Sequence, residues 1–306
     1  MPYTPSQNID QRVRYAAFDW LSEQIDIHGD VLKREILAQG FLFKGQQIRL
    51  MGPQGIFKPR IMELPLTITS IINSRYEDQV FSEGFLHYKY RGTNPNHRDN
   101  AGLRELMRRN IPLIYFHQIV RSKYMAVWPV YIVYDNPEEL TFRVAVDDAT
   151  IFSTKTYSDV QNTVSDIARR KYITTTIRQR MHQRSFRERV LAAYREQCAF
   201  CRLKHAQLLD AAHIISDREP EGNPIINNGI ALCKLHHAAF DKLFVGIRPD
   251  YVIEVRNDIM NEEDGPMLLH GLKGIHNKKI ILPHSQTDWP DQQLLEKKYK
   301  KFRMAG

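Results

Sequence analysis

The chain has 306 residues, of which 42% are hydrophobic and 25% are charged. This composition is typical of a globular protein and excludes a mainly disordered one, and the length is comfortable for two domains. No run of eighteen apolar residues occurs, and the first residues, MPYTPSQNIDQRVR, lack the apolar core of a signal peptide. We therefore expect a cytoplasmic protein with no membrane partner. Three cysteines are too few for a disulfide framework, which favours metal binding or simple burial.

Nearly all of the net charge lies in one short segment. The chain has 43 Lys and Arg against 35 Asp and Glu, a net charge of +8, and residues 169–189 alone hold eight basic residues and one acid. A basic run is often only a solvated surface. A run of almost exclusively positive residues on an otherwise near-neutral chain favours binding to a phosphate backbone. Within it, Arg178, Arg180 and Arg184 are the predicted contacts to DNA phosphates.

The first 150 residues predict a small mixed domain that is dominated by a curved sheet or barrel. Apolar residues at helical spacing predict two helices within residues 10–39, separated at Gly29. Runs rich in β-branched and aromatic residues predict strands between residues 40 and 148, with one helix over 100–109. The predicted strands include Ile48–Leu50, Leu66–Ile68, Phe85–Tyr90, Leu113–Phe116 and Val130–Val133.

The second half of the chain predicts a connector and a second domain. Residues 151–185 carry Ser, Thr and Arg in place of a core pattern, which indicates a basic helical connector. Apolar residues on one face of a predicted helix begin a domain at residue 186, and the tail LLEKKYKKFR predicts a basic C-terminal helix. We therefore predict an α+β protein with domains at 1–150 and 186–306, joined by 151–185.

Two short pairs of metal-ligand residues share one internal spacing. Cys198 and Cys201 form a CxxC pair, and Cys233 and His236 form a CxxH pair. Together they supply the four thiolate and imidazole ligands that tetrahedral zinc prefers. The pairs use all three cysteines of the chain, whereas mere burial of thiols would leave the spacing unexplained. The sequence predicts a structural Zn²⁺ at these four residues.

Three further polar residues lie between and just after these pairs. His213 ends an apolar segment, Asn228 precedes a glycine, and His237 follows the CxxH pair. Over residues 186–255 the sequence resembles the HNH endonuclease family, whose ββα-metal fold brings a histidine, an asparagine and a second histidine around one divalent cation. The local pattern agrees with that fold, because it predicts a strand ending at His213, a turn, a second apolar strand and a helix starting near His236.

This resemblance implies a role for each residue. His213 would be the general base that deprotonates the attacking water, a task suited to an imidazole with a pKa near neutrality. Asn228 would fix the loop and help to orient that base. His237 would bind the catalytic Mg²⁺ or Mn²⁺, which contacts a phosphate oxygen and stabilises the leaving 3′ oxygen.

The acidic ligand of the catalytic cation is less clearly marked. Many members of the family have an acidic metal ligand directly before the first histidine, but here that position is Ala212. Asp210 or Asp241 could supply the oxygen ligand instead. Asp241 lies four residues after His237 on the predicted helix, so the two side chains share a face. Both carboxylates stay open as candidates.

The first domain contains a series of short motifs at Gly52–Ile56, Arg75–Gln79, Phe85–Gly92, Asn96–Leu103 and the later strands Pro112–Phe116 and Val130–Val133. With these motifs residues 40–148 resemble the SRA (SET- and RING-associated) family, which implies an SRA-like (PUA-like) fold. SRA domains flip a modified cytosine out of duplex DNA into a pocket. Lys58 and Arg60 follow the early glycine turn, where they would contact phosphates or simply be solvated.

A flipped base needs aromatic faces to stack on and a group that hydrogen-bonds its Watson–Crick edge. Tyr76 and Tyr90 stand where the family places its stacking aromatics, and Asp78, with Gln79 as the alternative, stands near its base-reading carboxylate. Each tyrosine could equally be a strand residue that packs on the sheet.

Together the two resemblances indicate a McrA-like, modification-dependent restriction endonuclease that acts on double-stranded DNA carrying 5-methyl- or 5-hydroxymethylcytosine. Two alternatives stay open: an HNH nuclease or nickase directed by unmodified sequence, and a non-catalytic reader of modified DNA. One HNH site makes one nick, so a double-strand break favours a homodimer.

Overall fold

The computed structural model describes residues 5–71, 81–82, 85–146, 176, 180–263 and 265–305. Four of the predicted site residues, Tyr76, Asp78, Gln79 and Arg178, lie outside these ranges. The chain divides into two compact units, Met1–Met181 and His182–Gly306, and the architecture is mixed α+β. Among the helices in the described ranges, none is long and apolar enough to cross a membrane.

The first unit contains three described helices and a large sheet. The helices are α1 (Pro5–His28), α2 (Arg34–Gln39) and α3 (Arg98–Arg108). The strands are β1 (Val31–Lys33), β2 (Phe41–Phe43), β3 (Gln46–Ile48), β4 (Ile56–Phe57), β5 (Thr67–Ser70), β6 (Phe81–Ser82), β7 (Phe85–Lys89), β8 (Leu113–Val120), β9 (Lys123–Asn136) and β10 (Thr141–Val146). Eight of these described strands form a curled half-barrel sheet in the order β4-β5-β8-β9-β10-β7-β6, with β1 added beside β9. Only the β5–β8 pair among them is parallel.

Each face of this sheet is covered by a helix, which explains why β8 is apolar on both sides. Val13, Ala17 and Leu21 recur every four residues on α1 and are fully buried against one face. Leu103 and Leu106 of α3 are buried with residues of the opposite face. The successive residues 113–117 of β8 are therefore all buried, as expected for a strand packed on both faces.

The predicted strands at residues 66–68, 85–90, 113–116 and 130–133 are confirmed in β5, β7, β8 and β9. The prediction of helix was wrong at Val31–Lys33, which forms the edge strand β1. This segment is too short to continue α1 after Gly29, and its backbone pairs instead with β9. Strand β10 was missed, although it carries the alternation typical of a strand.

The second unit is built around a small hairpin followed by a helix. Most of helix α4 (180–193) belongs to this unit. The strands are β11 (Leu209–His213), β12 (Gly229–Cys233), β13 (Val245–Ile247) and β14 (Ile253–Val255). The later helices are α5 (Lys234–Asp241), α6 (Asn257–Asn261), α7 (Pro266–Gly271) and α8 (Gln292–Met304).

β11 and β12 pair antiparallel, and α5 follows β12 directly, so the two predicted strands and the helix are confirmed. The turn predicted at Asn228 and Gly229 is instead a short 3₁₀ helix at Ile226–Asn228, and Gly229 is the first residue of β12. In this register His213 lies opposite Gly229. A Cβ at Gly229 would overlap the side chains of Val190 and Phe186, so only glycine lets α4 pack this closely on the hairpin. The close packing places the Phe186 ring beside His213.

Candidate metal centre and nuclease site

The four predicted zinc ligands converge at one end of the hairpin. Cys198 and Cys201 lie in the turn after α4, Cys233 ends β12, and His236 lies in the first turn of α5. Their ligand atoms all lie within 4.8 Å of one another. Nδ1 of His236 is 3.4 Å from Sγ of Cys198 and 3.2 Å from Sγ of Cys233, and the Sγ atoms of Cys201 and Cys233 are 4.0 Å apart.

These distances fit tetrahedral zinc. Bonds of about 2.3 Å to sulfur and about 2.0 Å to nitrogen separate neighbouring ligand atoms by roughly 3.5–3.8 Å. Nε2–H of His236 donates a hydrogen bond to the carbonyl of Gly271 at 2.7 Å, which leaves Nδ1 free to bind the metal. A hydrogen bond with Cys233 holds the pKa of Cys198 below its usual value, so the cluster favours a thiolate. The residues therefore fit zinc, and their ligand atoms lie close enough together to hold one metal ion.

His213 lies at the end of β11 in a half-buried position against an aromatic ring. Its imidazole stacks on Phe186 with ring centroids 4.0 Å apart and an interplanar angle of 21°. Burial lowers the pKa of His213 below its ordinary value. The carboxylates of Asp217 and Asp241 oppose this effect, and the positive charges of His237 and Lys298 add to it. Its Nε2 is buried without a hydrogen-bond partner among the described residues. A neutral imidazole of this kind can accept a proton at neutral pH.

Asn228 holds the backbone that follows His213. Its side chain is fully buried; Oδ1 accepts a hydrogen bond from the Ile215 N–H at 2.9 Å. Nδ2 donates to the carbonyls of Ile215 at 2.9 Å and Asn223 at 3.0 Å. The carbonyl of Asn228 also accepts a bond from the Ile214 N–H. These bonds hold residues 214 and 215, just after His213, against the start of β12, which supports the loop-fixing role that the resemblance implies.

Replacing Asn228 with alanine is expected to lower the free energy of unfolding of the second unit by at least about 2 kcal/mol. The change leaves the N–H and C=O of the buried Ile215 without their partners, and each such group costs roughly 1–3 kcal/mol. Urea unfolding of Asn228→Ala measures the loss. Lys204→Ala, a change at an exposed residue of the same unit, is the control; equal stability of the two variants would contradict this account.

His237 lies between two carboxylates. Nδ1 is 3.6 Å from Oδ2 of Asp210 on β11, and Nε2 is 3.2 Å from Oδ2 of Asp241, one turn further along α5. Hydrogen bonds to Asp210 and Asp241 raise the pKa of His237 to about 9, so the ring is an imidazolium at neutral pH. Burial alone would raise the pKa of Asp210. Its hydrogen bonds with His237 and Lys234 outweigh burial, so the pKa of Asp210 is lowered and the carboxylate stays ionised.

These three side chains are of the type that a hard divalent cation prefers, since they offer carboxylate oxygens and one imidazole nitrogen. They do not converge on one point, because the carboxylates contact opposite nitrogens of the ring. His237 with either Asp210 or Asp241 could supply two ligands after the imidazolium loses its proton. Both carboxylates therefore remain candidates.

The described residues of the first unit and the connector occupy varied positions. Tyr90 is 7% exposed, stacks on Phe142 at 4.5 Å between ring centroids, and its hydroxyl donates to Asp135.

The predicted phosphate contacts differ in exposure. The exposed Lys58 donates to the carbonyl of Met62 at 2.8 Å, and Arg60 is exposed. Arg180 is exposed and Arg184 half-buried. The assignment of these residues to DNA contacts stays a prediction.

Sequence reasoning missed three residues around the hairpin. The guanidinium of Arg187 donates to the carbonyls of Ala206 and Leu209 and lies 3.4 Å from Asp210, so this member of the basic run anchors β11. From the sequence, Phe186 was predicted only to begin the second domain, but its ring stacks on His213. Lys298 of α8 lies 3.9 Å from Asp241. The signal for Lys298 was its place between Leu295 and Phe302, at the spacing of one helix face.

Comparison with known proteins identifies a domain in this region. The family model described as HNH endonuclease matches residues 198–248. A solved structure, "Modification dependent TagI restriction endonuclease", is similar with a TM-score of 0.29 and 13% identity, over 78% of this chain and 81% of that chain. A search of curated proteins gives no match. Residues 198–248 of the chain are thus an HNH endonuclease domain.

Proposed function

We propose that the protein is a DNA endonuclease in which the HNH domain hydrolyses phosphodiester bonds. The observation that supports this best is the position of His213 within a domain that matches the HNH family. Its imidazole is kept neutral by burial and lies on a hairpin whose following loop is fixed by Asn228. A general base in a nuclease needs these two properties, a neutral nitrogen and a fixed orientation.

Each of the other residues has a supporting task in this proposal. His213 accepts the proton of the attacking water, and the Phe186 ring holds the imidazole in place. Asn228 keeps the loop after His213 fixed. His237, with Asp210 or Asp241, would hold a Mg²⁺ or Mn²⁺ ion, which when bound supplies positive charge to the phosphate and the leaving 3′ oxygen. The Cys198, Cys201, Cys233 and His236 cluster holds structural zinc.

The proposed substrate is double-stranded DNA that carries 5-methyl- or 5-hydroxymethylcytosine. The proposal rests on the SRA resemblance, in which Tyr76, Tyr90 and Asp78 or Gln79 form the base pocket. The basic segment with Arg178, Arg180 and Arg184, together with Lys58 and Arg60, would add affinity for phosphates but little sequence choice. Because one HNH site makes one nick, we propose that double-strand cleavage is carried out by a homodimer.

Matched plasmids test this function directly. The same plasmid is prepared with cytosine, 5-methylcytosine or 5-hydroxymethylcytosine and incubated with the full-length protein and Mg²⁺ or Mn²⁺. We expect cleavage of a modified plasmid and little cleavage of the unmodified one. Equal cleavage of all three would favour a nuclease directed by unmodified sequence. Selective binding without cleavage would favour a reader of modified DNA and overturn the nuclease proposal.

The role of Tyr90 needs a variant that keeps an apolar side chain in place but loses the aromatic face. Tyr90→Ala would remove a side chain buried against Phe142, at a stability cost of about 3–5 kcal/mol that would obscure any effect on binding. Tyr90→Leu keeps a large apolar side chain against Phe142 and removes the ring on which a base would stack. Tyr90→Phe keeps the ring and removes only the hydroxyl that contacts Asp135 and Arg104, so it is the matched control. A ratio of affinities for modified and unmodified duplexes that is reduced in Tyr90→Leu and parental in Tyr90→Phe supports the pocket assignment, and an unchanged ratio in both variants is expected of a packing residue.

The pH dependence of cleavage is expected to report the lowered pKa of His213. The base works when neutral, so the rate falls as pH drops through its pKa. Because burial lowers that pKa below the ordinary 6.5, cleavage should persist to pH values below 6.5 before it is lost. Single-turnover rates between pH 5 and pH 8 measure this midpoint, at a cation concentration high enough to saturate the His237 site at every pH so that proton competition at His237 does not set the rate. A midpoint above about 6.5 would contradict the assignment of the acid limb to His213.

A further inference from the structure

The C-terminal helix α8 places one lysine among apolar residues. Leu295 and Phe302 are buried, and Lys298 lies between them on the same face, at spacings of three and four residues. The side chain of Lys298 is only 15% exposed, whereas that of Lys300 on the same helix is 69% exposed. An ammonium group in this position costs stability unless it is well paired, so packing alone does not account for a lysine here.

The partners of Lys298 are weak. Its Nζ lies 3.9 Å from Oδ1 of Asp241 and 4.5 Å from the centroid of the Phe240 ring, and it forms no hydrogen bond with any residue that the structure describes. Its basic neighbours on α8 are better paired. Lys301 contacts Glu219 at 2.8 Å, and Lys297 contacts Glu221. Lys298 is thus a poorly satisfied cation within α8.

Lys298 also lies beside the candidate ligands of the catalytic cation. Its Nζ is 3.9 Å from one oxygen of Asp241, whose other oxygen is 3.2 Å from Nε2 of His237. The Glu219 and Glu221 contacts of α8 tie the helix to the loop that follows β11, so the position of Lys298 is fixed relative to that loop. Helix α8 lies outside the residues 198–248 that match the HNH family, and the match assigns nothing to it.

We propose that Lys298 binds a phosphate oxygen of the DNA strand that is cut. This inference rests on the proposed nuclease function. The N–H donors of Lys298, which form no hydrogen bond within the described residues, can bond phosphate oxygens, and a partly buried ammonium attracts the negative charge of a phosphate more strongly than a solvated one does. Once the phosphate is bound, Lys298 stabilises the negative charge that grows on it during hydrolysis.

Three variants of the full-length protein test this proposal: Lys298→Met, which keeps the apolar stem, Lys298→Arg, which keeps the charge, and Lys300→Met as the matched control on the exposed face. We expect Lys298→Met to cut a susceptible plasmid about 10²-fold more slowly in single turnover. Lys298→Arg should recover most of the rate, and Lys300→Met should match the parent. The melting temperature of Lys298→Met should be unchanged or higher, because a buried cation is replaced by an apolar side chain.

Binding gives a readout that does not need cleavage. Without added Mg²⁺ or Mn²⁺, affinity for a labelled duplex is measured at several salt concentrations. Loss of one phosphate contact should reduce the slope of log affinity against log salt by about 1 in Lys298→Met and leave it unchanged in Lys300→Met. The expected change in the salt slope is the same if the parent binds DNA without cutting it. That outcome would overturn the nuclease proposal but not the phosphate contact of Lys298.

The opposite results are equally clear. A parental rate and salt slope in Lys298→Met, with the parent cutting DNA, would overturn the role of Lys298 and leave the nuclease proposal standing. A lowered melting temperature with an unchanged salt slope would make Lys298 a structural residue. If Lys298→Met does not fold, Lys298→Gln takes its place with the same expected slope. A parent that neither binds nor cuts DNA would overturn both proposals.

Discussion

Replacing His213 with alanine is expected to slow DNA cleavage by about 10²–10⁴-fold, the usual contribution of a general base. The change removes the stacking of the half-buried imidazole on Phe186, but β11 should stay folded through its pairing with β12. Binding to DNA should change little, because the predicted phosphate contacts of the protein lie elsewhere. Single-turnover cleavage and separate binding isotherms distinguish these two effects.

The control for this experiment is His205→Ala, which removes an exposed histidine a few residues before β11. It should cut at the parental rate. The His213→Ala variant leaves a space over the Phe186 ring, so added imidazole is expected to restore part of its activity. Cleavage by His213→Ala at the parental rate, with normal zinc content, would remove His213 from the role of base.

The site of the second unit could be predicted from sequence because its residues are set by local patterns. CxxC and CxxH are short-range spacings, and each strand of the β11–β12 pair is a short apolar run that its own residues indicate. Lys298 was missed because it reaches the site from α8, more than fifty residues beyond Asp241. Contacts between such distant segments leave no mark in local spacing.

The sheet of the first unit was harder to predict, for related reasons. The parallel β5–β8 pair joins Ile68 to Tyr115 across nearly fifty residues, a pairing that no turn between adjacent strands indicates. β1 was taken as helix, because three residues cannot show whether their period is that of a helix or a strand. The role of Tyr90 was equally hard to predict, because its place in the sequence fits both a base pocket and the packing against Phe142.

Loss of His236, a proposed zinc ligand, is expected to have the largest effect on stability. Zinc binding is coupled to folding, and in isolated zinc-finger peptides it contributes about 10–16 kcal/mol. The second unit also has an apolar core, so we expect His236→Ala to weaken it and not to prevent folding altogether. Even a loss of about 4 kcal/mol should lower the melting temperature by at least about 10 °C in a unit of this size. The purified variant should contain no tightly bound zinc, whereas the parent should contain one ion per chain.

His270→Ala is the matched control, because His270 is an exposed histidine on α7, directly before the Gly271 whose carbonyl holds His236. It should keep its zinc and its melting temperature. Chelation of the parent should reproduce the instability of His236→Ala, and added zinc should reverse it, since the three thiols and the imidazole lie close enough to share one ion. A parent protein without zinc, or a His236→Ala protein as stable as the parent, would mean that these residues are an ordinary part of the core.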